Sequence, residues 1–373
     1  MPAADILRRP DEAAPMPAPP AADLNEFLNT PLALAVSGGG DSMALLHRVA
    51  DLRPGRRDGL LALTVDHRLR PEAAGEARQV ADHCARLGIR HRTLAWSGPK
   101  PVSGLMEAAR LARYRLLADA AAGAGCAAVL TGHTRDDQIE TLSMRAGRGA
   151  GRGLAGMAPA TLYGGRIWFL RPLMAWRRQA LRHELADRGL GWLEDPSNAD
   201  PRYERVRVRG SLSPDSPDAA RLLETARETG SQRILLARRA AAIVLDPSSF
   251  DPSGWPETLL FRTAGRDLPG DALAEAAAQA SRLLTGHLYG PSGDARSQVA
   301  SLLTGPGGVA FTAAGAVFRK TRDGVRIERD PRWRGRGGQV PELIPSFDHA
   351  VFDALARRTD LPEFPPVPIG GEV

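Results

Sequence analysis

"AVSGGGDSM", residues 35–43, decides how the chain is read. Three consecutive glycines follow the apolar run "LALA" (32–35) and precede "DSMALLHRVADL" (41–52), where Met43, Leu46, Val49 and Ala50 share one helical face. Strand, glycine turn and helix together make a phosphate-binding unit. Glycine N–H groups curl round an anion with no Cβ in the way, and the helix aims the positive end of its dipole at the same spot. Ser37 and Ser42 add hydroxyl donors to the amides of Gly38, Gly39 and Gly40. A γ-phosphate loop needs a Lys after its last glycine; Asp41 stands there instead, and suits a Mg²⁺ bridging phosphates. The plainer alternative is a tight strand-to-helix turn capped by Ser.

Outward from this loop the chain alternates. Further strands are expected at 60–66, 89–96 and 126–133, and helices at 73–88, 105–125 and 136–147. Units of this kind predict an α/β fold, a parallel doubly wound sheet with helices on both faces. Ligands of such sheets bind beyond the carboxyl ends of the strands, where "SGGGDS" (37–42), "VDHRLR" (65–70) and "TGHTRDD" (131–137) all begin. A further strand is expected within 166–174 and a helix over 176–190; "RYERVRVRG" (202–210) alternates charge or starts a helix. The Ser/Pro/Asp stretch 211–219 reads as a linker, with helices near 219–245 and 271–285 and two hairpins over 308–329 turning at Ala314-Gly315 and Asp323-Gly324.

The expected organisation is a Pro/Ala-rich leader (1–28) without a signal-type apolar core, a catalytic domain (29–210), a mainly helical domain with terminal hairpins (211–330) and a Pro/Gly-rich tail (331–373). No apolar run is long enough to span a membrane. Two distant cysteines, Cys84 and Cys126, offer neither a CxxC pair nor a disulfide framework and fit a reducing cytoplasm. The net charge is +6, and only Lys100 and Lys320 are Lys among 49 basic residues. Between Arg145 and Arg182 lie eight Arg and no Asp, Glu or Lys. That local excess points to a polyanionic partner, against the alternative of a solvated basic face.

The motifs then converge. "SGGGDS" after an apolar strand resembles the PP-loop of the N-type ATP pyrophosphatases. "VDHRLR" (65–70), "EAARLARYRLL" (107–117), "TGHTRDDQIET" (131–141), "RGAGRGLAGM" (148–157), "RPLM" (171–174) and "DPSNAD" (195–200) follow in order, and together resemble the tRNA(Ile)-lysidine synthetase family over about 32–210. The resemblance implies an adenine nucleotide alpha hydrolase-like fold. It also implies ATP with Mg²⁺, free L-lysine and isoleucine tRNA bearing a CAU anticodon. ATP would adenylate the C2 oxygen of the wobble cytidine, releasing pyrophosphate, and lysine would displace AMP.

On this reading the ATP site comprises Ser37, Gly38, Gly39, Gly40, Asp41, Ser42 and His133, with Asp41 as metal ligand. Asp41, Asp136, Asp137 and Arg113 are the catalytic candidates. A carboxylate of the 136–137 pair suits lysine's ammonium and its proton; the alternative is a helix N-terminal acid pair favoured by the dipole. Arg110 and Arg113, at i and i+3, suit the α-phosphate or the lysine carboxylate, unless Glu107 takes Arg110 in a surface ion pair. Arg145, Arg148, Arg152, Arg205 and Arg207 are the candidate tRNA contacts, and His133 is otherwise a helix cap.

Two departures stand out: Thr134 where the family has a second His, and "RVRVR" (205–209) where it often has an Asn-containing run. A thiolase is the enzymatic alternative, but its paired cysteines are missing; an ammonia-using synthetase would need a glutaminase domain that is not evident. A non-catalytic, nucleotide-sensing RNA-binding protein is the rival of another class. The sequence leaves monomer and homodimer both open.

Overall fold

The computed structural model describes residues 29–149, 151–194, 200–202, 204–304, 308–335, 338, 340–359 and 361–365. The expected leader, and all but Asp200 of the 195–200 motif, lie outside these residues.

The first sheet has seven strands. Five are parallel: β1 (Leu32–Ala35), β2 (Leu60–Asp66), β3 (Arg90–Ala95), β4 (Ala128–Thr131) and, beyond a strand β5 (Ala160–Tyr163), β6 (Ile167–Leu170). The order runs β12-β5-β6-β4-β1-β2-β3, where β12 is Leu343–Pro345. Central strands read as unbroken apolar runs because both faces are covered. Leu32 and Leu34 pack into the core on one side, with α1 (Gly40–Leu52), α2 (Ala73–Arg86) and the helix α5 (Arg178–Asp187). Ala33 and Val129 face the other side, against Tyr114 and Leu117 of α3 (Leu105–Gly123).

The chain adds β2 and β3 on one side of β1, then crosses to place β4 on the other. The switch point is therefore β1–β4, which sets the glycine loop beside "GHTRDD" and α4 (Arg135–Ala146). Gly132 is needed for that approach: a Cβ there would stand 2.9 Å from the Asp41 carbonyl oxygen.

After α6 (Glu204–Ser211), Ser216 caps α7 (Pro217–Leu245) through a bond from the Ala219 N–H to its hydroxyl. Two more helices, α8 (Gly270–Thr285) and α9 (Gly293–Thr304), accompany a five-stranded antiparallel sheet ordered β7-β8-β11-β10-β9 (Phe250–Asp251, Thr258–Arg262, Gly324–Arg329, Ala316–Lys320, Ala310–Ala313). The hairpin at Ala314-Gly315 forms as expected, both residues at positive φ.

The first sheet and its covering layer hold elements beyond the expected outline. Strand β5 pairs antiparallel with β6 through Gly164 and Gly165, both left-handed. Residues read as part of a Pro/Gly-rich tail form β12, which pairs antiparallel with β5, and α10 (His349–Arg358). The reason is apolar: Ile344, Val351, Phe352 and Leu355 are fully buried, and they join the catalytic and C-terminal parts in one core.

Candidate functional site

The glycine loop is a cradle without a plug. Gly39 caps α1 with no side-chain hydrogen bond to the first-turn amides. Gly38 has φ +91, and a Cβ on it would meet Leu193 Cδ1 at 2.5 Å. The serines brace the loop: Ser42 Oγ donates to the Gly39 carbonyl at 2.8 Å and lies 3.2 Å from Ser37 Oγ.

Beside the loop, Arg178 gathers the carboxylates. Its Nε donates to Asp41 Oδ2 at 3.0 Å, Nη1 to Glu140 Oε1 at 3.0 Å and Nη2 to Asp137 Oδ1 at 2.8 Å. From α6, Arg205 donates to Glu140 Oε2 at 2.6 Å and Asp137 Oδ1 at 2.9 Å, and Arg209 to Glu140 Oε1 at 2.8 Å. The i, i+4 spacing puts Arg205 and Arg209 on one helix face. Arg207 instead donates to the Pro201 and Arg202 carbonyls. Thr134 fills its place by capping: its N–H and hydroxyl donate to Asp137 Oδ2 at 2.8 and 2.7 Å. Asp137 is thus both a cap and a member of the cluster. Asp136 has its own partners, accepting the Arg178 backbone N–H at 2.8 Å and lying 3.4 Å from Arg177 Nε.

Burial opposes ionisation of Glu140, yet the bonds and charges of Arg209, Arg205 and Arg178 outweigh it and hold the carboxyl below its usual range. Asp41 goes the other way: burial raises it despite Arg178. Its Oδ1 is buried without a hydrogen-bond partner. That oxygen fits a cation. Among the described residues no group of three metal-binding side chains exists.

A second cluster gathers arginines around a phenol. Arg110 Nη2 and Arg171 Nη2 donate to Tyr114 Oη at 3.2 and 3.1 Å, and Arg113 lies 6.0 Å from the Tyr114 ring. No described carboxylate bonds to these three arginines; Glu107 accepts from Tyr289 instead. Burial would raise the Tyr114 phenol, but Arg171, Arg110 and Arg113 outweigh it and bring it down to about 8. His133, pushed well down by burial and by the same arginines, is neutral. Thr131 Oγ1 gives its proton to the Leu170 carbonyl, so it accepts from His133 Nδ1 at 2.9 Å, leaving Nε2 as an acceptor.

The basic stretch 145–182 is not the exposed face expected of it. Arg148, Arg152, Arg166, Arg177, Arg178 and Arg182 each pair with a carboxylate, and Arg145 and Arg171 bond to carbonyls or hydroxyls. The partners are distant in sequence: Arg152 reaches Glu275 at 2.8 Å and Asp348 at 2.8 Å. Arg145 donates to the Gly153 and Gly156 carbonyls, pinning the glycine loop that follows α4. Arg148 pairs with Glu204 on the surface. Sequence reasoning missed Glu140, Arg178 and Arg209; the signal for Glu140 was its i, i+3 spacing from Asp137.

Fold and loop define the class first: a PP-loop domain, whose family model matches residues 21–216. A tRNA(Ile)-lysidine synthase of Mesorhizobium japonicum is 40% identical over 339 residues, 87% of this chain and 71% of that protein. One from Brucella melitensis biotype 2 is 38% identical over 358 residues, 86% and 78% of the two chains. The chain belongs to the tRNA(Ile)-lysidine synthase family. Among solved structures, a U34-tRNA thiolase from Methanococcus maripaludis overlays with a TM-score of 0.46 at 16% identity, over 56% of this chain and 74% of that one.

Proposed function

We propose that the chain ligates free L-lysine to C2 of the wobble cytidine of isoleucine tRNA with a CAU anticodon, consuming ATP. The cytidine O2 attacks the α-phosphorus and pyrophosphate leaves. Lysine's ε-nitrogen then bonds to C2, the C2–O bond breaks, and AMP departs with the oxygen. Adenylation turns a poor leaving group into a good one.

The observation that carries this reading is a glycine loop at the β1–β4 switch point, together with a carboxylate cluster balanced by arginines and an arginine cluster that no described carboxylate bonds. The glycine-loop amides receive the pyrophosphate portion through preorganised donors. Asp41 Oδ1 would hold Mg²⁺, which screens charge on the phosphates when bound. Arg113 and Arg110 hold the α-phosphate, with no described carboxylate bonded to them. His133 Nε2 accepts from the nucleotide. Asp137 and Glu140 attract the lysine ammonium, Glu140 held ionised by its arginines, and Asp137 takes a proton before attack.

The test is omission. Purified protein with ATP, Mg²⁺, lysine and isoleucine tRNA should release AMP, and leaving out any of the four should stop lysine incorporation. AMP release with sulfur donor in place of lysine would point to the thiolase alternative; no AMP at all would defeat the enzyme reading.

A further inference from the structure

We propose that Tyr289 is a stacking platform for an unpaired base of the tRNA anticodon loop, and that the adjoining groove holds the next nucleotide. The inference rests on the function proposed above.

Tyr289 is 61% exposed, unusual for so large a ring beside a catalytic helix. It stands on a turn with little freedom. Gly286, left-handed at φ +66, ends α8. Trp333 Nε1 donates to the Thr285 carbonyl at 2.9 Å, and His287 stacks on Trp333 with ring centroids 5.0 Å apart. Arg282 Nη2 holds the Leu288 carbonyl at 2.9 Å, and the Tyr289 N–H donates to His287 Nδ1 at 3.2 Å. The ring is thus ordered before any ligand arrives, which lowers the entropic cost of binding.

Its position ties the C-terminal part to the catalytic crevice. Tyr289 Oη donates to Glu107 Oε1 at 2.9 Å, one turn before Arg110 on α3. Burial and Glu107 push the phenol up, and Arg110 and Arg145 act on it in the opposite sense, so cations as well as one carboxylate lie near the exposed ring. A polyanion with splayed bases matches that pairing: RNA loops are read by stacking unpaired bases on aromatic rings while cations hold the backbone. Beyond the turn lies a groove of about 510 Å³, lined by His287, Gly290, Ser292, Asp294, Gln298 and Thr312 among others; the Asp294 carboxylate suits a base edge better than a phosphate. The groove is roomy enough for one nucleotide, and Ser292 and Gln298 offer polar groups to a base edge.

The experiment places 2-aminopurine next to the wobble cytidine of a CAU anticodon stem-loop RNA and titrates it with the wild type, Tyr289→Phe, Tyr289→Ala and Tyr289→Leu. Stacking predicts quenching by the wild type and by the Phe variant, with affinities within about threefold. The Ala and Leu variants should lose the quench and bind roughly tenfold to a hundredfold more weakly. Their melting curves and KM for ATP should match the wild type. Leu keeps the folded variant available if Ala does not fold. Should Phe be as damaging as Ala, the hydroxyl tie to Glu107 is what matters and the platform is wrong; equal binding by all four proteins also overturns it. Lysine-dependent AMP release by the wild type, run alongside, reports separately on the underlying function: its failure leaves the quench to decide the platform alone.

Discussion

Arg178 stands between Asp41 of the glycine loop and Asp137 of α4, donating to both, 3.0 Å from the first and 2.8 Å from the second. One guanidinium thereby sets the spacing of carboxylates whose elements come from opposite sides of the switch point. Burial disfavours its charge, but Asp137, Asp41 and Glu140 more than restore it, and its pKa rises above the usual value. Replacing Arg178 by Ala takes from Asp41 its arginine hydrogen bond and leaves Asp137 and Glu140 to Arg205 and Arg209. Breaking such a buried network should cost about 3–5 kcal/mol of stability, and the misplaced groups should lower AMP release by ~10²-fold or more. Arg178→Lys, a single point charge, should recover stability better than activity, because it cannot serve three acceptors in one plane. Denaturant melts and initial rates on the same preparations check this.

Asp41 should be separable from RNA binding. Asp41→Ala should lower AMP release by roughly 10²–10³-fold while isoleucine tRNA affinity, followed by filter binding, stays within about threefold. Asp41→Asn keeps the shape but not the charge, so its residual activity should need more Mg²⁺. Equal loss of tRNA binding would make Asp41 a structural residue.

The phenol of Tyr114, held near 8 by three arginines, gives a pH signature. Below that value the phenol is neutral and the arginine cluster keeps its full positive charge. As pH rises through about 8 the phenolate cancels part of that charge, so the KM for ATP should rise between pH 7 and 9. Tyr114→Phe should abolish the rise, at the expense of a higher KM at pH 7, because two guanidiniums lose their acceptor. A KM that climbs identically in the Phe variant would remove Tyr114 from the account.

Arg152 tests whether the basic stretch holds the fold together or contacts tRNA. Its partners Glu275 and Asp348 are 2% and 3% exposed, and Asp348 also takes Arg233 at 2.9 Å. Arg152→Ala should therefore destabilise the fold by about 2–3 kcal/mol, below the fully buried range because Arg152 itself is partly exposed. Its affinity for tRNA should change less than twofold. A tRNA-contacting Arg152 would give the reverse pattern, with a weaker salt dependence of binding.

The parallel sheet and glycine loop were legible because their signals are local: apolar runs of strand length, a glycine run and helical periodicity. Asp41 and Asp137 were legible for the same reason, each adjoining a strand end. The Arg178 hub was not, since its meaning comes from carboxylates 137, 41 and 38 residues away in sequence. The same blindness inflated the stretch 145–182, where counting charge along the chain missed Glu275, Asp348, Asp119 and Glu204, which fold onto it. Strand β5 has only four residues, but the Gly164-Gly165 pair after it was a readable hairpin signal. Strand β12 was hidden by its surroundings: Pro341 and Pro345 flank an apolar pair that an edge strand tolerates.

The central claim is that the two clusters act together to join lysine to an adenylated cytidine. Nucleoside mass analysis of isoleucine tRNA, after incubation with the full chain, ATP, Mg²⁺ and isotopically labelled lysine, tests it most directly. The wobble cytidine alone should gain one labelled lysine, with one AMP released per modified tRNA, and Arg178→Ala should reduce both together. An unmodified wobble cytidine, or AMP release without lysine on the tRNA, would contradict it.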